Sequence, residues 1–183
     1  MNRGLIATRY ATALYSFAAD NNAEKAVYEE MCTFLKVAEE VSELRFSIEN
    51  PALKIDEKKK IIYASFGDNP CKETAQFIEF LFEKNRIDFL IPAAMKFTDL
   101  HRKKNNIHIA RLITATEPNV ETEKKLISMI EAKTGGSVEL EKDVNPDIIG
   151  GFIIEVDNLQ WDASVARRLK EMKDKYTKPY NCL

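Results

Sequence analysis

The stretch Arg102-Lys103-Lys104-Asn105-Asn106-Ile107-His108-Ile109-Ala110-Arg111-Leu112-Ile113 contains the change that decides the fold. Before it, apolar residues recur every three or four positions, as one face of a helix requires. After Asn105-Asn106, Ile107, Ile109, Arg111 and Ile113 alternate with His108, Ala110 and Leu112, which is the period of a strand. A domain boundary is therefore expected near residue 105, with a helical domain over 1–105 and a second domain over 106–183.

Upstream, Ala7, Ala11, Leu14 and Ala18 form one helical stripe, with Ile6, Tyr10, Ala13 and Phe17 beside it, and Asn21-Asn22 interrupts the pattern. A second stripe runs through Val27, Met31, Phe34 or Leu35, Ala38 and Val41. A short segment from Leu44 to Ile48 stops at Asn50-Pro51, because the residue before proline is pushed out of helical geometry. Asp56 is expected to cap a helix that ends at Gly67. Two more helices are expected over about Lys72 to Lys84 and Asp88 to Lys104, the latter with Pro92 near its first turn. The first half thus reads as a compact bundle of about six helices.

Downstream, the first strand ends at Glu117-Pro118-Asn119, and a helix over about Val120 to Lys133 stops at Gly135-Gly136. Ser137 to Val144 alternates again. Ile148 to Val156 is a dense apolar run, with Asp157-Asn158 as a hairpin turn into Leu159-Gln160-Trp161. Ser164 can cap a last amphipathic helix bearing Val165, Leu169, Met172 and Tyr176. The expected fold is α+β and mostly α, a helical bundle followed by a small β-α-β-β-α domain.

Composition narrows the function. The 183 residues carry 27 Lys+Arg against 29 Asp+Glu, and this near-neutral balance offers no bulk attraction to nucleic acid or anionic lipid. Three widely spaced cysteines, Cys32, Cys71 and Cys182, suit a reducing compartment and argue against a disulfide framework or zinc site. The N-terminus has no signal-peptide layout, and no run approaches the roughly 20 apolar residues that span a bilayer, so the chain reads as soluble. No G-x-x-x-x-G-K-[ST] or G-x-G-x-x-G occurs, and Ser65 and Ser164 lack a G-x-S-x-G setting. His101 and His108, seven apart, read as surface residues rather than metal ligands. Lys58-Lys59-Lys60, Arg102-Lys103-Lys104 and Arg167-Arg168 read as solvated helix faces rather than phosphate tracks. Gly150-Gly151 reads as a bulge or a close backbone approach more readily than as a ligand site. No enzyme, cofactor or metal chemistry is expected.

The first and fifth helices are too apolar for one packing contact. Phe77, Ile78, Phe80, Leu81 and Phe82 cover most of the fifth, and Ile6, Tyr10, Ala13 and Phe17 widen the arc of the first. Either both are wholly packed within the bundle, or they expose a groove for a partner helix. With no catalytic motif in the chain, the sequence points to a binding module rather than a catalyst. A small nucleic-acid-binding or other helix-binding adaptor is the alternative in the same class of size.

Several segments resemble one family. Ala7-Thr8-Arg9-Tyr10-Ala11-Thr12-Ala13-Leu14-Tyr15 resembles the A-x-R-Y-A-x-A-L-[FY] opening of the F-type ATP synthase delta subunit family, which includes the mitochondrial oligomycin sensitivity conferral protein. Asn50-Pro51 with Lys59, and Phe77-x-x-x-Leu81-x-x-x-Asn85-Arg86, are similar to its later marks. Val144 to Ile154, containing Gly150-Gly151, and Asp162-Ala163-Ser164-Val165-x-x-Arg168-Leu169 resemble its C-terminal block. The resemblance implies a non-catalytic stator subunit on the cytoplasmic side of a bacterial inner or plasma membrane, held there by its complex. It implies an N-terminal bundle that binds the alpha subunit's N-terminal helix between its first and fifth helices. Tyr10, Ala13, Phe17, Ile78 and Phe80 would line that groove. It also implies a C-terminal domain that engages the peripheral-stalk b subunits. Structural motif residues would be Asn85 and Arg86 in the first domain and Gly150, Gly151, Asp162, Ser164 and Arg168 in the second. No nucleic acid or small-molecule substrate is implied. Asp157-Asn158 departs from the family's Gly-Asp turn, and Trp161 replaces a more usual aliphatic residue.

Overall fold

The computed structural model describes residues 3–50, 53–67, 70–116, 120–156 and 159–177. It is an α+β molecule, mostly helical, with a small mixed sheet. The chain divides into two compact units, Met1–Lys104 and Asn105–Leu183.

The first unit contains α1 (Arg3–Asp20), α2 (Glu24–Glu40), α3 (Ser42–Glu49), α4 (Ile55–Ser65) and α5 (Lys72–Glu83). A 3-10 turn at Ile87–Phe89 leads into α6 (Leu90–Asn105). The alanine-rich stripe of α1 is buried at Ala7, Ala11, Leu14 and Ala18, so small side chains bring this helix close to its neighbours. Phe34, Phe97, Met31, Ile62, Ile78, Leu81 and Leu90 are fully buried, and Phe34 stacks on Phe66 at 4.4 Å.

The helix ends explain the interruptions in the sequence. After α1, the Asn22 amide donates to Ala19 and the Ala23 amide to Ala18, with Asn22 at φ 55°. After α5, the Asn85 amide donates to Phe82 and the Arg86 amide to Leu81, with Asn85 at φ 53°. Both are Schellman endings, in which one residue in left-handed conformation lets two amides reach back to otherwise unpaired carbonyls. Asparagine tolerates that conformation better than most residues with a Cβ. In α6, Pro92 is the third residue, where its missing amide hydrogen belongs to a turn that has no helical acceptor.

Three expectations about single residues change. Asp56 does not cap α4: the helix begins at Ile55 with Lys54 before it, and Asp56 and Glu57 instead sit in the positive first turn. His101 is not a surface residue. It is 6% exposed and its ring stacks on Tyr28 at 4.2 Å, because α6 turns this position inward in register with Ala94 and Phe97. Lys58-Lys59-Lys60 is not simply solvated. The Lys58 ammonium donates to the Ile48 carbonyl at 3.0 Å, and Lys59 pairs with Glu79 at 2.5 Å, tying α4 to α3 and α5.

The second unit contains β1 (Ile107–Thr114), α7 (Val120–Thr134), β2 (Ser137–Val144), a 3-10 turn at Pro146–Ile148, β3 (Phe152–Val156), β4 (Leu159–Asp162) and α8 (Val165–Thr177). The strand order is β2-β1-β3-β4, with β1 parallel to β2 and antiparallel to β3, and β3 antiparallel to β4. The expected order β-α-β-β-α counts one strand too few, although the hairpin expected into Leu159-Gln160-Trp161 already held its residues. Leu159–Asp162 pairs along β3 as that fourth strand. Ile148 is also not part of β3, because the 3-10 turn separates them. The hairpin turn Asp157-Asn158 and the tail 178–183, with Cys182, lie outside the described residues.

One sheet face carries Ala110, Leu112, Ile154 and Val156, packed against Ile130 of α7. The other is polar along its middle row, where Arg111 of β1 pairs in register with Glu141 of β2 and Glu155 of β3. An arginine between two carboxylate strands is a favourable cross-strand arrangement.

Candidate functional site

In the first unit, α1 and α5 pack against each other and leave an apolar strip facing outward. Tyr10 sits on it, its ring 6.2 Å from Phe80 in edge-on contact and 6.2 Å from Phe89. The Arg86 guanidinium donates to the Tyr10 hydroxyl at 3.1 Å, so the Schellman ending of α5 also aims a cation at α1. Lys84 lies over the Phe80 ring at 5.8 Å. Phe17 is 39% exposed and Phe80 42%, and Ala13 is exposed between the larger side chains of its helix.

Four of the five expected groove residues thus face outward or partly outward. Ile78 does not: it is 0% exposed and belongs to the core. The reason is angular, since residues two apart on a helix point roughly 200° apart. Phe80 and Ile78 cannot share a face, and sequence reading merged two faces of α5 into one.

In the second unit the motif residues build a turn. The Gly150 carbonyl accepts from the Val165 amide at 2.9 Å, and the Phe152 carbonyl from the Ala163 amide at 2.9 Å. Two chain segments are thereby held side by side. A Cβ on Gly151 would stand 2.3 Å from the Ala163 carbonyl oxygen, and Gly151 also has φ +78°. Asp162 Oδ1 accepts from the Ser164 amide at 2.9 Å, and Ser164 Oγ accepts from the Arg167 amide at 3.2 Å, capping α8. Hydrogen bonds from the Ser164 side chain and backbone hold the Asp162 carboxyl below the usual carboxylate range. Arg168 is exposed on α8.

Sequence reading missed two features of this unit. Ile149, beside the glycine pair, has φ 66° and is 64% exposed. The only sequence signal for it was its place at the edge of an apolar run. Secondly, a cleft of about 280 Å³ lies beside α7, lined by Leu126, Met129, Phe152, Ile154 and Trp161 among others. In the sequence Trp161 shows as part of the expected hairpin and as a departure from a family pattern, neither of which signals a cleft.

The Cys71 thiol donates to Glu30 at 3.1 Å, and burial pushes it up from its ordinary value, away from the reactive thiolate. Among the described residues, no group of three or more His, Cys, Asp or Glu is placed to hold a metal ion. Among them also, no helix is long and apolar enough to cross a membrane.

Residues 6–175 match the family model described as ATP synthase delta (OSCP) subunit. The chain is similar to the ATP synthase subunit delta of Phocaeicola vulgatus, with 33% identity over 174 residues covering 94% of each chain. It is also similar to that of Desulforudis audaxviator, with 30% identity covering 95% of this chain and 96% of the other. Its fold is similar to a chain in the cryo-EM structure of the Toxoplasma gondii mitochondrial ATP synthase hexamer. There the TM-score is 0.65 at 22% identity, covering 98% of this chain and 99% of that one.

Proposed function

The chain belongs to the ATP synthase delta (OSCP) subunit family, and from that premise we propose how its two units divide the work of a non-catalytic stator subunit. The first unit holds the N-terminal helix of an alpha subunit on the α1–α5 strip. The second unit holds the peripheral-stalk b subunits. The head feels torque from the rotating central stalk, and a mechanical tie between head and stalk keeps it from turning with the rotor. Such a subunit needs tight helix-binding surfaces and no reacting groups. It works at the cytoplasmic face of the membrane through its partners.

One observation carries the placement on α1–α5: exposed Ala13 lies between Tyr10, three residues before it, and exposed Phe17, four after it, and Tyr10 meets exposed Phe80 of α5. A small residue amid aromatic ones lets a partner backbone approach closely, and apolar anchors at helical spacing suit an amphipathic helix. Ala13→Trp fills that position from the solvent side. The variant should melt like the parent and bind a fluorescent alpha N-terminal peptide at least about tenfold more weakly, as expected when a bulky side chain occupies the centre of an interface. Unchanged affinity removes Ala13, and with it the strip, from the site.

A further inference from the structure

From Val165 to Lys175, only Ala166 of α8 is even half-buried. Its surface is nonetheless ordered. Val165, Leu169 and Met172, spaced four and then three apart, fall on one line, the spacing of a helix-to-helix seam. All three are exposed, Leu169 at 52% and Met172 at 57%. At about 100° per residue, Arg168 and Lys175 lie along one flank of this line and Lys173 along the other. Glu171 and Asp174 fall on the far side, where Glu171 is already paired with Arg167 at 2.9 Å.

Ile149 lies near the start of this line. The carbonyl of the next residue accepts from the Val165 amide, so Ile149 stands at the first turn of α8. Its φ of 66° is an outlier for a β-branched residue. A strained backbone that holds an isoleucine out in water is an outlier of the kind found at ligand clamps and switch regions.

We propose that Ile149, Val165, Leu169 and Met172 form the seam onto which one stalk helix docks, and that this helix carries Asp or Glu on both sides of its own apolar stripe. The inference rests on the stalk reading given above and narrows it to one helix and one partner chemistry. Charge selects this occupant: cations flank the seam, so acidic flanks on the partner complement it. A second copy of the chain would bring Arg168, Lys173 and Lys175 against themselves.

The full chain is titrated with the extramembrane part of the organism's own b subunit, at two salt concentrations. Because α8 is exposed, the variants should keep the parent's circular dichroism and melting curve. Leu169→Asp should abolish binding. Arg168→Glu with Lys175→Glu should weaken it at least about tenfold and flatten its salt dependence, as loss of close charge pairs does. If parent and variants bind equally well, the α8 seam is wrong and the stalk reading survives. If even the parent does not bind, both fall. Self-association of the parent that Leu169→Asp abolishes would make a second copy the occupant and overturn the acidic-helix assignment.

Discussion

Gly150 and Gly151 are neighbours in the chain, but a methyl group would meet different surroundings at each. At Gly151 it would strike the Ala163 carbonyl oxygen, on a backbone already at φ +78°, and neither group can give way. At Gly150 it would meet only a Val165 methyl at 3.3 Å. Gly151→Ala should therefore destabilise the second unit by about 3 kcal/mol or more, and Gly150→Ala by less than about 1 kcal/mol, measured by chemical denaturation. Equal costs would mean that the close approach is not what fixes this turn. Asp162 offers a pH test at the same scale. Its carboxyl titrates below the ordinary value of 3.8, so the folded state favours the ion. That stabilisation is present above pH 3.8 and disappears as pH falls through the depressed value. Asp162→Asn keeps an oxygen that can accept from the Ser164 amide but removes the charge. The stability gap between variant and parent should be open at neutral pH and close on acidification.

At the scale of elements, the ends of helices do as much as their faces. The Schellman ending of α5 satisfies two carbonyls and, in the same step, turns Arg86 towards the Tyr10 hydroxyl. It links a local backbone rule to the shape of the α1–α5 strip. Asn85→Gly preserves the left-handed residue and should change stability by less than about 0.5 kcal/mol. Asn85→Val opposes it and should lose about 1–2 kcal/mol, with weaker binding of the alpha peptide as Arg86 loses its aim. Comparable stability for the two variants would show that the left-handed residue is not the constraint. The Asn-Arg pair was visible in the sequence as a motif, but nothing in its spacing revealed that the asparagine ends a helix and the arginine crosses to another.

At the scale of the molecule, each unit has its own buried cluster, one centred on Phe34, Phe97 and Leu81 and one on Leu112, Ile130 and Ile154. Residues 1–104 prepared alone should then unfold cooperatively and bind the alpha peptide as the full chain does, which calorimetry and anisotropy together can check. Loss of affinity in that fragment would mean that the second unit takes part in the helix site. The two proposed surfaces also differ in kind. The α1–α5 strip presents aromatic rings with Lys84 and Arg86 against them, whereas the α8 seam presents aliphatic groups and a methionine between its cations.

The hydrophobic period by itself determined that helices give way to strands near residue 105, because burial on one face imposes 3.6-residue spacing before that point and alternation after it. It also gave the alanine stripe of α1 and the capped start of α8, which are local patterns. Tertiary structure alone decided which apolar residues face outward. Ile78 and Phe80 look alike in a list of large apolar side chains, yet one is core and the other surface, since burial depends on where neighbouring helices pack. His101 went inward for the same reason. Ile149 stands in water at the end of a 3-10 turn, beside a backbone that Val165 holds through Gly150, and neither neighbour is encoded by the residue itself.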